Sequence, residues 1–260
     1  NSEPITDFLY TEDFDDFRNL MISSASDPVY LDDNWNNDHI NDDLEWWPNS
    51  GETYKDGTGP YEDHTSGQGK YLYTEAYILD GKPGDAYLYS PGFNISQLDD
   101  PALMFWYHMF AKDSVMGDFH VDIYSVENDT LYEDIIPTIS GSQGQEWHRK
   151  TVNLEDFKNA GVIRIRFRVD INGHYQNAFA IDDVTVTDLY QSNFGIIGMK
   201  PETGRGHLTD QEPVQVSLVN ISPDTIATGT EIPVGYQYAQ NAPVSETYTL
   251  TEQLPPFDTL

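Results

Sequence analysis

Cysteine is absent from this 260-residue chain, which excludes disulfides, thiolate metal sites and thiol nucleophiles together. Positive charge is scarce: 13 Lys and Arg stand against 44 Asp and Glu, a formal net charge of −31. A field of that sign repels nucleic acid and anionic lipid, so neither is an expected partner. No apolar run approaches the roughly 20 residues that cross a bilayer, so no membrane insertion is expected. Helical periodicity is also scarce. No His-Glu-x-x-His helix, Gly-x-Ser-x-Gly elbow or Gly-Lys-Ser/Thr phosphate loop occurs, and the seven histidines are scattered. No catalytic residue is assigned, and the expectation is that the chain is not an enzyme.

What is present is aromatic. Seventeen Tyr, 12 Phe and 5 Trp offset a modest hydrophobic share of 38%, because each buried ring removes a large area from water. Short alternating runs bounded by Gly, Pro, Asn and Asp recur along the chain, the pattern of an antiparallel sandwich. Leu103 to Phe110 is a nearly continuous apolar run that suits a central strand covered on both faces. Phe119 to Tyr124 alternates. So does Val162 to Val169, with Arg164, Arg166 and Arg168 on one side and Ile163, Ile165, Phe167 and Val169 on the other. A single helical turn is predicted near Leu154–Phe157. The fold class is therefore all-β.

The stretch of about 27–49 differs. It gathers Asp32, Asp33, Asp38, Asp42, Asp43 and several Asn around Trp35, and reads as a long solvated acidic insert. Asp38, Asp42 and Asp43 lack the spacing and glycine of an EF-hand loop. Composition shifts after Leu189, where a new strand rhythm begins at Pro213–Asn220, Ile232–Tyr238 and Glu246–Leu250. The domains expected are 1–189, and 190–260 as a smaller immunoglobulin-like β-sandwich. Seventy residues fall short of the roughly 100 of a complete immunoglobulin domain, so that second domain is expected to be truncated.

Several segments, in order, resemble one family. They are Tyr10-Thr11-Glu12-Asp13-Phe14-Asp15, Asp43-Leu44-Glu45-Trp46, Thr58-Gly59-Pro60, Asp63-His64-Thr65 with Gly67 to Tyr73, Leu103 to Met109, Ser140 to Gly144 before Trp147, and Ala180-Ile181-Asp182-Asp183-Val184-Thr185-Val186. Together they are similar to a MAM domain, an antiparallel jelly-roll sandwich. The opening and closing strands also resemble the cleaved-adhesin and carbohydrate-binding jelly rolls of bacterial surface proteins. Members from animal receptors carry cysteine pairs, and this chain has none.

The resemblance implies a non-catalytic, calcium-stabilised adhesion or binding module of an exported bacterial multidomain protein, secreted or at the cell surface. The chain starting at Asn1 without a leader suits a mature exported form. The ligand implied is a glycan or another surface protein. The alternative is a set of accessory domains of a secreted hydrolase or protease, and a jelly-roll polysaccharide hydrolase or lyase is a third reading. In such jelly rolls calcium ties the first strand to the last. The matching positions are Asp15, Asp63 and one of Asp182 and Asp183, which point to opposite faces of a strand unless a bulge intervenes. A glycan face needs exposed rings, for which Trp35, Trp47, Tyr54 and Tyr61 are the candidates.

Overall fold

The computed structural model describes residues 3–20, 28–112, 115–189, 194–201, 214–222, 225–236, 244–255 and 258–260. The chain divides into two units, Asn1–Asp188 and Leu189–Leu260. In the first, twelve strands run in chain order among the described residues: β1 (Tyr10–Glu12), β2 (Asn36–Asn37), β3 (Trp47–Asn49), β4 (Tyr71–Glu75), β5 (Pro83–Tyr89), β6 (Pro101–Met109), β7 (Asp118–Ser125), β8 (Thr130–Tyr132), β9 (Ile139–Ser140), β10 (His148–Asn153), β11 (Ile163–Asn172) and β12 (Ala178–Asp188). They form two six-stranded antiparallel sheets. One is ordered β10-β6-β12-β4-β3 with β1 also on β12, and the other β2-β5-β11-β7-β8 with β9 on β7. Short 3-10 turns cover Ala76–Leu79 and Glu155–Phe157, the second where the sequence predicts it.

Period-two alternation explains how the sheets meet. Ile163, Ile165, Phe167 and Val169 of β11 are fully buried and join Val121, Phe119, Leu88 and Phe105 in the core between the sheets. Each such side chain contributes about 1.5–3 kcal/mol relative to an exposed one. The intervening arginines lie on the outer face. Arg166 and Arg168 converge there on Asp122, which is inaccessible to solvent, at 2.7 and 3.2 Å. Arg166 also lies 4.8 Å from the Tyr87 ring centre. The outer face of the other sheet carries a second cluster of Trp47, Tyr71, Tyr73 and Ala180, with Val29 and the partly buried Leu31 and Trp147 against it.

The acidic stretch is not a free loop, which corrects the expectation of a solvated insert. Trp35, Leu44 and Trp46 belong to the main core, and β2 and β3 pair with β5 and β4. Asn37 is the tie. Its buried amide donates to the carbonyls of Val29 and Trp46 and accepts from the Trp46 N–H at 2.7 Å. One side chain thus closes the loop from Asn37 to Trp46 and satisfies three backbone groups.

The second unit holds β13 (Phe194–Pro201), β14 (Val214–Asn220), β15 (Glu231–Tyr236) and β16 (Val244–Thr249), paired as two antiparallel ladders, β13–β14 and β15–β16. Leu218, Ile226, Ile232, Leu250 and Leu254 form its small core. Among the described residues, no helix is long and apolar enough to cross a membrane.

Candidate functional site

The four acids singled out by sequence gather around one turn, residues 63–70, between β3 and β4. Asp63 is its internal brace. One carboxylate oxygen accepts from the Ser66 N–H and hydroxyl, and the other from the Gly69 N–H at 2.7 Å. Burial pushes its pKa upward, but the bonds from Ser66, Gly69 and Thr65 outweigh that and leave it below the ordinary value. The next amide, Lys70 N–H, is taken by Asp15 at 2.7 Å, while the Lys70 ammonium bonds the Asp15 carbonyl. A Cβ at Gly69 would fall 2.1 Å from Asp15 Oδ1, so a side chain there would have to displace the Asp15 carboxylate from the turn. Asp15 itself lies beyond β1, exposed, after Phe14 at a φ of 57°. That corrects its expected place on the opening strand.

Asp182 and Asp183 hold the turn from the sheet side. Between Asp182 and Thr185, β12 takes one residue more than β6, and Asp183 absorbs it with a φ of 47°. The bulge brings both acids to the same turn. Asp182 accepts the His64 N–H at 2.9 Å and the Asp183 N–H at 2.8 Å. Asp183 pairs with His64 Nδ1 at 2.6 Å and accepts the Thr65 hydroxyl at 2.5 Å. The His64 ring lies flat on Trp106, 3.7 Å between centres. Asp182 is 1% exposed, and its pKa is pushed up to about 9, first by burial and then by the charge of Asp183, with Asp63 adding to it.

The sequence does carry a trace of this bulge. Core residues fall at the odd positions Phe179 and Ile181, then at the even positions Val184 and Val186, so the alternation changes phase across the acid pair.

The oxygen-only donor set suits a hard cation such as calcium, and no Lys or Arg among the described residues pairs with Asp63, Asp182 or Asp183. The carboxylate oxygens nevertheless face N–H and O–H donors. Among the described residues, no group of three or more acids or histidines is placed to hold a metal ion. His108 is walled off from solvent: it is 1% exposed, its Nε2 bonds the Gln145 carbonyl at 3.0 Å, and burial lowers its pKa to about 4, which keeps the ring neutral.

The aromatic candidates separate sharply. Trp35 and Trp47 are 1% and 6% exposed, so neither offers a face to a ligand, which corrects that expectation. Trp35 stacks near Phe167 and meets Phe14 edge to face, and Trp47 lies 4.5 Å from Tyr73. Tyr54 and Tyr61 are 74% and 54% exposed. Sequence reasoning passed over Tyr77 and Tyr175, which also stand in solvent. A tyrosine beside turn residues, rather than inside an alternating run, was the available signal.

Against known proteins, the family model described as MAM domain, meprin/A5/mu, matches residues 32–190. Neuropilin-1a of Danio rerio is 30% identical over 143 residues, covering 55% of this chain; the match spans 15% of that curated relative's length. Among solved structures, a cleaved adhesin domain of Lys-gingipain from Porphyromonas gingivalis is similar over 70% of this chain and 98% of its own, at 17% identity and a TM-score of 0.46. The carbohydrate-binding module TmCBM61, solved with β-1,4-galactotriose, is similar over 60% and 89%, at 12% identity and a TM-score of 0.41.

Proposed function

Because the chain belongs to the MAM (meprin/A5/mu) family over residues 32–190, we propose that it is a non-catalytic binding module of an exported bacterial multidomain protein, secreted or displayed at the cell surface. One observation carries the reading. The corner that the sequence singles out, with Asp63, His64, Asp182 and Asp183 together, spends its carboxylates and imidazole on bonds that fasten a turn to a sheet. Groups held this way brace a scaffold. The ligand in this reading is a glycan or another surface protein, and the second unit is a small immunoglobulin-like sandwich.

Calcium belongs to the same proposal. Asp63, Asp182 and Asp183 would supply its oxygens, exchanging some of their N–H and O–H donors for the ion. The support is the crowding of acids, which a cation would relieve: a solvent-shielded aspartate lies beside two others, and among the described residues one histidine is paired to the three. A ligand that binds the folded state raises its stability by mass action, about 2.7 kcal/mol at one hundred times Kd. The test is a melting curve of the intact chain in EDTA, with added calcium and with added sodium. The expected result is a midpoint that falls in EDTA and returns with calcium alone. A curve indifferent to verified metal removal refutes the calcium part. A glycan array with and without calcium tests the binding part.

A further inference from the structure

Three tyrosines from separate segments stand at one end of the first sandwich, where β4 and β11 end and β5 and β12 begin. Tyr54 comes from the β3–β4 connection, Tyr77 from the 3-10 turn after β4, and Tyr175 from the β11–β12 hairpin. Tyr54 and Tyr77 lie 5.1 Å apart, ring centre to ring centre, and the Lys55 ammonium sits 5.6 Å from the centre of the Tyr77 ring. The Tyr175 hydroxyl donates to Asp80 at 3.2 Å, and its ring rests on Gly81, where a Cβ would meet it at 3.1 Å. The Asp80 N–H donates to the Tyr77 carbonyl at 3.3 Å, closing the turn between the two. Tyr54, Tyr77 and Tyr175 are 74%, 40% and 44% exposed.

The base under these rings is tied together by buried and partly buried hydrogen bonds. Buried Glu75 accepts the Lys55 N–H at 2.9 Å. The Thr53 hydroxyl closes its loop on the Thr58 carbonyl, and the Thr58 hydroxyl reaches the carbonyls of Phe110 and Gln176. Asn177, inaccessible to solvent, fixes the hairpin by bonding the Gly117 N–H and the His174 carbonyl, while its own carbonyl accepts from Ala76. The loops are held by buried polar bonds, and the rings they present keep 40–74% of their surface in solvent.

We propose that Tyr54, Tyr77 and Tyr175, with Asp80 and Lys55, form a binding site for an uncharged oligosaccharide, a proposal that rests on the binding-module reading above. Sugar rings bury their C–H faces on phenol rings, and a carboxylate and an ammonium beside the rings match the ring-edge hydroxyls. The three exposed rings offer roughly 250–400 Å² between them, taking 150–250 Å² for a whole aromatic side chain. That suits a few sugar units and is well below the roughly 800 Å² per partner of a stable protein interface. The net charge of −31 disfavours acidic glycans, which leaves the neutral ones.

The experiment uses the full chain on an array of neutral and anionic glycans. The best neutral oligosaccharide is then titrated by calorimetry into the parent, Tyr54→Ala, Tyr77→Ala, Tyr175→Phe and a control, Tyr132→Ala, which alters an exposed ring elsewhere. Melting curves confirm that each variant is folded, and leucine, which keeps the bulk and removes the flat ring, replaces alanine at Tyr54 or Tyr77 where the alanine variant is not. Expected is a tenfold or greater loss of affinity for the two alanine variants at the site, a change within threefold for Tyr175→Phe, and none for Tyr132→Ala. Neutral glycan bound equally by parent and all variants overturns this site and leaves the binding-module reading standing. Binding of anionic glycans alone overturns the ligand class. No glycan bound at all overturns this proposal together with the glycan form of the wider reading.

Discussion

Replacing Glu75 with glutamine isolates the cost of a carboxylate that the sandwich has walled off from water. Glu75 ends β4, opposite Ala178 of β12, and is 1% exposed. Burial raises its pKa from 4.5 to about 7, against a smaller opposing pull from the Lys55 N–H and ammonium. A raised carboxyl stabilises the fold only while it keeps its proton. The contribution is complete below the unfolded value near 4.5 and is lost as pH rises through 7. A shift of that size corresponds to about 3 kcal/mol as a ceiling, at 1.36 kcal/mol per pH unit. The glutamine amide mimics the neutral acid and can still accept the Lys55 N–H, so the Glu75→Gln variant sheds this pH dependence. Urea unfolding followed by tryptophan fluorescence reads the first unit specifically, because all five Trp lie within residues 1–188. Between pH 5 and 8.5, the variant's advantage over the parent is expected to grow towards about 3 kcal/mol. Other raised carboxyls, such as Glu12 at about 7 and Asp42 at about 8, are present in both proteins and cancel in the difference. Two unfolding curves separated by the same offset at every pH would refute the assignment.

Two further substitutions test the packing. Asp122→Ala removes the solvent-inaccessible acid that Arg166 and Arg168 share, leaving two cations short of their partner, and should cost about 3–5 kcal/mol of unfolding free energy by urea titration. A loss below about 1 kcal/mol, the range of an exposed pair, would mean that Glu133, Asp134 and Asp170 suffice to hold those arginines. Gly117→Ala places a Cβ 1.9 Å from the Asp170 carbonyl oxygen, so β7 and β11 must part. The expected penalty is about 1–3 kcal/mol, visible as a lower melting midpoint.

The sandwich was largely legible because its signal is period two, and β11 shows why: four apolar and three arginine positions alternate without a break, and the sheet takes them as written. The stretch 27–49 was misread because its ordering principle is not a period. Asn37 looks like one more loop asparagine, yet it bonds three backbone groups on either side of the loop, and only the sheet edges it meets make Trp35 and Trp47 core residues. The acid corner was half legible. The residue types and the turn were visible, while the meeting of Asp182 and Asp183 depends on a local break in strand geometry. The tyrosine cluster depends on three distant segments sharing one end of the fold, which no local pattern encodes.

The extra residue in β12 separates two things that share a strand. Counting along it, dropping Asp183 would set Ile181, Val184 and Val186 on one uninterrupted alternation, so the oily side of the ribbon would remain continuous. The paired acids would vanish with the same single cut. One added residue thus supplies the second acid of the pair and leaves the apolar alternation on either side of it intact.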